Sequence, residues 1–87
     1  MRFAAGPPNQ WLVTLCSGAV VELWADGFSL EDGEYRFSML VRANADEQAG
    51  IRVESRAPAD PELVGMTVAR LPDSEVVEVN GGWPLPG

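Results

Sequence analysis

Apolar and polar positions alternate most strictly from Tyr35 to Ala43, where Tyr35, Phe37, Met39, Val41 and Ala43 share one parity and Arg36, Ser38 and Arg42 the other. Successive side chains of a strand point to opposite faces, so this pattern predicts a half-buried strand with one face on a core. Two Asp-Gly pairs lie just upstream, Asp26-Gly27 and Asp32-Gly33. Asp-Gly is a strong local signal for a tight reversal, and the chain from Ala19 to Ala43 therefore reads as an antiparallel meander. Glu22 falls on the parity of Val20 and Trp24. That places Val21 and Leu23 on the inward face of the preceding strand. Asp26-Gly27 either closes a hairpin to Phe28–Glu31 or opens a longer loop that ends at Asp32-Gly33.

The rest of the chain is patterned less evenly. Gln10 to Cys16 is β-prone and apolar on both parities, which predicts a strand covered on both sides. Asn44 and Glu47 have the spacing of a capping box, with Gly50 placed to stop a single helical turn. Ile51 and Val53 alternate with Arg52 and Glu54 in a further strand. Residues 60–71 admit two readings. Asp60-Pro61-Glu62 resembles a helix start, and Val64, Val68 and Leu71 follow at helical spacing. Yet Val64, Met66 and Val68 also fit period two. The reading adopted is a helical turn at 60–63 leading into a strand over 64–70, with a packed helix at 60–71 as the alternative. Pro72-Asp73-Ser74 is a turn, and Val76 to Val79 a final strand.

Composition narrows the class. At 87 residues the chain has room for one domain, and 46% hydrophobic with 22% charged residues is an ordinary globular balance. The expected organisation is an extended leader over 1–9, a single β domain over 10–80 and a flexible tail over 81–87. No apolar run reaches the ~20 residues of a membrane span, and residues 1–8 have no signal-peptide core. Both features point to a cytoplasmic protein. A lone Cys16 rules out an internal disulfide, and its apolar neighbours predict a buried, inert thiol. The net charge is −7, and all six basic residues are Arg, a bias that fits a bacterial, GC-rich genome. Such a charge opposes nucleic-acid phosphates and anionic membranes, so neither is expected as a partner.

The missing residue types bear most on chemistry. There is no histidine and no lysine, which removes imidazole acid-base groups, Schiff bases and phosphate-loop lysines. No cofactor is expected and no catalytic residue is assigned. Asp26, Glu31, Asp32 and Glu34 form an acidic loop that is a weak candidate for a hard cation, although its spacing does not match an EF-hand. The glycines make no dinucleotide fingerprint. Arg36, Arg42, Arg52 and Arg70 are expected on an outer sheet face, with Glu54 and Glu78 positioned to pair there. Trp24, Phe28 and Trp83 are the candidate partner-binding residues, because tryptophan suits half-wet contact surfaces.

The expected fold is mainly β, a small antiparallel barrel or roll (SH3-like) of five to six strands with one or two short helical turns. The alternative is α+β, with the 60–71 helix packed on a meander. The expected function is a non-catalytic protein-interaction or accessory module. A self-associating structural protein, a homodimer for example, is the second expectation, and a carboxylate-based metal binder or enzyme the third.

Overall fold

The computed structural model describes residues 1–84. Among these, eight strands form two antiparallel sheets with no closed barrel. They are β1 (Arg2–Phe3), β2 (Asn9–Leu15), β3 (Val20–Ala25), β4 (Gly27–Glu31), β5 (Glu34–Arg42), β6 (Val53–Ala57), β7 (Asp60–Pro72) and β8 (Val76–Pro84). One helical turn, α1 (Ala45–Gln48), follows β5, and a 3-10 turn at Asp73–Glu75 precedes β8. The smaller sheet has the order β3-β2-β8. The larger has the order β1-β5-β7-β6, with β4 also on β5. The molecule is 20 Å across its shortest axis, as two layers spaced about 10 Å apart require.

The strictly alternating segment becomes β5, and its inward parity supplies both cores. Val13, Ala25 and Phe37 are fully buried between the sheets, packed by Trp11, Leu15, Val21 and Leu23 from one side and by Tyr35, Ala69 and Leu71 from the other. A second cluster of Val41, Ala43 and Val64 lies at the far end of the larger sheet, against Met39, Ile51, Val53 and Met66. Val21 and Leu23 point inward as their parity predicts. The strand β2 departs from expectation: Trp11, Val13 and Leu15 face the core, and no described strand or helix lies over its other face.

Asp32-Gly33 makes the β4–β5 hairpin. Glu31 pairs with Glu34 across it, and both turn residues have positive φ, 50° and 75°, the type I′ geometry that matches strand twist. Asp26-Gly27 does something else. A single residue, Asp26, separates β3 from β4, and the chain there crosses from the smaller sheet to the larger. The Asn44–Glu47 capping box forms as expected, with both reciprocal hydrogen bonds present.

Residues 60–71 are neither a helix nor a helical turn followed by a strand; they are strand throughout. The misleading spacing comes from a β-bulge. Phe37 pairs with Ala69 but Ser38 with Thr67, so Val68 is left over. The inward set therefore reads Val64, Met66, then Ala69, Leu71. One extra residue breaks the period of two and mimics a helical repeat. Three further expectations need correction. Gly81 to Pro84 belong to β8 and pair with β2, while 85–87, the remainder of the expected tail, lie outside the described residues. Arg2 and Phe3 in the expected leader pair with Arg42 and Val41. Cys16 is exposed, its thiol donating to the Ser74 carbonyl at 3.3 Å.

Gly81 marks the tightest point of the β2–β8 pairing. Its φ is +137°, and a methyl group there would run into the Gln10 carbonyl and come 2.8 Å from Trp11 Cα. Gly18 has φ +89° but open space around it. Gly81→Ala is expected to cost about 3 kcal/mol, strain plus a backbone clash, and Gly18→Ala about 1 kcal/mol. Urea unfolding of both variants checks this, and equal losses would contradict the close-approach argument.

Candidate functional site

The smaller sheet carries the most distinctive exposed surface. Its central strand, β2, pairs Gln10 with Trp24 of β3 on one side and with Trp83 of β8 on the other. Residues directly opposite one another in an antiparallel sheet project to the same face. The three side chains thus form a row on the outer face, with Glu22, Leu12 and Asn80 in the next row and Val20, Thr14 and Glu78 beyond. Two strand spacings separate the tryptophan backbones, ~10 Å. Trp24 is 41% exposed and Trp83 48% exposed. Between them the Gln10 amide donates to Glu22 of the next row at 2.8 Å.

A bulge puts Trp83 there. Leu12 pairs with Asn80 and Trp11 with Gly81, but Gln10 pairs with Trp83, so Gly82 is the extra residue. Without it Trp83 would oppose Asn9 on the core-facing parity. Gly82 has φ +79°, and a methyl group there would come within 3.4 Å of the Trp11 ring. Trp11 itself is committed to the fold. Its indole donates to the Ala25 carbonyl at 3.0 Å and lies edge-on to Phe28 and Phe37, with ring centroids 5.2 and 6.1 Å away.

Phe28 does not join Trp24. It pairs with Phe37 across β4 and β5 and belongs to the aromatic cluster of Trp11, Tyr35 and Phe37. One side of its ring is open, at 41% exposure, along the margin of the larger sheet. The structure thus brings together Trp24 and Trp83, from opposite edges of one sheet, and places Phe28 elsewhere. Sequence parity could not find that pairing, because it depends on the β8 bulge.

The four loop acids are already engaged. Asp26 accepts a 2.6 Å hydrogen bond from the Leu40 backbone N–H. Leu40 lies between the part of β5 that pairs with β4 and the part that pairs with β1, so the carboxylate fills a break in the ladder. Glu31, Asp32 and Glu34 all surround the Arg36 guanidinium, at 3.2, 3.5 and 2.8 Å. Glu34 also accepts from Arg70, which stands directly opposite Arg36. The expected laced face thus exists around Arg36 and Arg70; Glu54 pairs with Arg52 at 3.4 Å and Arg42 with Asp60 at 2.7 Å. Glu78 lies apart, on the smaller sheet. Among the described residues no group of three or more His, Cys, Asp or Glu is arranged to hold a metal ion.

Sequence reasoning also missed two clefts beside β1. One, about 380 Å³, is mostly apolar and lined by Met1, Arg2, Phe3, Met39, Val41 and Met66. The other, about 350 Å³, lies beside Arg2, Leu40, Arg42 and Leu63. Both depend on residues 2–3 adding a strand to β5, and the two residues Arg2-Phe3 are too short a segment to carry a strand pattern. No helix among the described residues is long and apolar enough to cross a membrane. No family model, curated protein or solved structure matches the chain.

Hydrogen bonds from Arg70 and then Arg36 hold the Glu34 carboxyl below its ordinary value of 4.5. A carboxyl depressed in the folded state contributes stability that is fully present above its unfolded value and lost as pH falls through the folded one. Glu34→Gln is therefore expected to be less stable than the parent above about pH 5, with the gap closing as pH drops below that range. Urea midpoints measured across acid pH test this. A gap that stays constant would mean that the ion pairs are not its source.

Proposed function

We propose that this chain is a non-catalytic protein-binding module acting through the outer face of its three-stranded sheet. The observation that supports this reading is the Trp24–Gln10–Trp83 row. Two half-exposed tryptophans, held by backbone pairing and flanking a hydrogen-bonding amide, offer large contact area at little cost in side-chain entropy. Glu22 and Glu78 share that face. An arginine-bearing protein surface fits it best, since guanidinium groups both stack on tryptophan and pair with carboxylates. The absence of histidine and lysine supports a binding role over a catalytic one. A net charge of −7 favours a protein partner over nucleic acid or an anionic membrane. The same inventory and charge suit a cytoplasmic setting.

A second reading, self-association, draws on the margin of the larger sheet. Among the described residues β4 pairs only with β5, and Phe28 and Leu30 are exposed beside that open edge. Unpaired edges with apolar neighbours are a common route to dimers.

The two readings separate cleanly by mutation. The double variant Trp24→Ala/Trp83→Ala is expected to lose at least ~30-fold in affinity for the partner, as two hot-spot residues imply. Leu30→Glu should leave that binding unchanged. Sedimentation of the parent and of Leu30→Glu tests the second reading. A partner held equally well by the double tryptophan variant would remove the sheet face as the site, and a dimer abolished by Leu30→Glu would favour self-association.

A further inference from the structure

The larger sheet contains two pairs of arginines placed directly opposite one another, Arg36 with Arg70 and Arg2 with Arg42. Like charges in directly opposed positions repel. The first pair shows how this molecule resolves that repulsion. A single oxygen of Glu34 accepts from both guanidiniums, at 2.8 Å from the Nε of each. Among the described residues the second pair has no such bridge. Asp60 bonds Arg42 at 2.7 Å from the side away from β1, and among the described residues Arg2 makes no ion pair or side-chain hydrogen bond. In a chain with 13 acidic and 6 basic residues, an arginine left next to another arginine stands out.

Arg2 and Arg42 line the cleft of about 350 Å³, together with Phe3, Ala4, Leu40 and Leu63. Arg42 and Leu63 are paired residues, so a charged row of Arg2 and Arg42 runs directly into an apolar wall. We propose that Arg2 and Arg42 form a binding site for a carboxylate that carries a short apolar group. The carboxylate takes the bridging position that Glu34 occupies in the other pair. Its apolar group lies on Leu40 and Leu63. Guanidinium suits this task because its planar fork donates two parallel bonds to a carboxylate. The site is independent of the tryptophan face, which lies on the other sheet. Such a carboxylate comes either as a free small acid or as the C-terminus of a peptide.

Two-dimensional amide NMR of the full chain at low salt provides the test. Sodium butyrate, with butanol and sodium chloride as controls, and an N-acetylated dipeptide ending in a free leucine carboxylate are titrated up to about 20 mM, which keeps screening modest. Saturable shifts centred on Arg2, Leu40, Arg42 and Leu63, absent with butanol and chloride, are the expected result. Tighter binding of butyrate assigns a free acid as the source, and tighter binding of the dipeptide assigns a C-terminus. Arg2→Gln is expected to weaken binding at least ~10-fold, the loss of one charged hydrogen-bond donor group. Its spectrum elsewhere should be unchanged, because Arg2 is exposed. Shifts that grow linearly for both acids, or that persist undiminished in Arg2→Gln, would overturn the proposal.

Discussion

The hydrogen-bonding of β5 along both of its edges is the constraint on which the rest of the structure depends. One edge pairs with β7 along its whole length, through the bulge at Val68, while the other is shared between β4 and the short β1. Buried backbone groups left without partners are costly, and the break between β4 and β1 is closed by a side chain, Asp26, bonded to Leu40. The same residue carries the chain from one sheet to the other. With its ladder secured, β5 contributes Phe37 to the inter-sheet core and Val41 to the distal one. Its partner β7 does the same, with Ala69 and Leu71 on the inter-sheet core and Val64 and Met66 on the distal one, so the β5–β7 pair joins the two clusters.

The two outer faces of the molecule solve different problems. On the larger sheet, arginines and carboxylates neutralise one another in a network around Arg36, with Glu34 as its centre. Exposed pairs of this kind stabilise weakly, but together they fix side-chain directions on an otherwise featureless surface. On the smaller sheet the outer face is aromatic at one end, with Glu22 and Glu78 in the rows beyond. Neither tryptophan belongs to a buried cluster; both are about half exposed. The bulge at Gly82 turns Trp83 outward, and the cost of positive φ at both Gly81 and Gly82 is met by having no side chain.

Much of the framework was legible from local pattern. The alternation from Tyr35 to Ala43, the Asp32-Gly33 reversal, the Asn44–Glu47 capping box and the inward parity of Val21 and Leu23 all depend on near neighbours in the chain, and all appear where expected. Two of the misreadings share a cause. At Val68 and at Gly82 one additional residue is inserted against a partner strand; the glycines at 81–82 hint at an irregularity, but nothing local marks Val68. The first insertion made 60–71 resemble a helix, and the second hid the side of the sheet that Trp83 occupies. Asp26-Gly27 misled for a related reason, since a sharp corner between sheets and a hairpin use the same turn-forming residues.

The sequence by itself determined the class of the fold, because strand parity, turn chemistry and helix capping act over a few residues. It also determined, through the absence of histidine and lysine, which chemistries the chain is poorly equipped to perform. Only the tertiary structure decided which surface side chains stand together. Trp24 and Trp83 come from strands separated by more than half the chain, and Arg2 meets Arg42 only because a two-residue strand docks on β5. Cross-strand register sets both encounters, and register is a property of the paired strands that neither strand encodes alone.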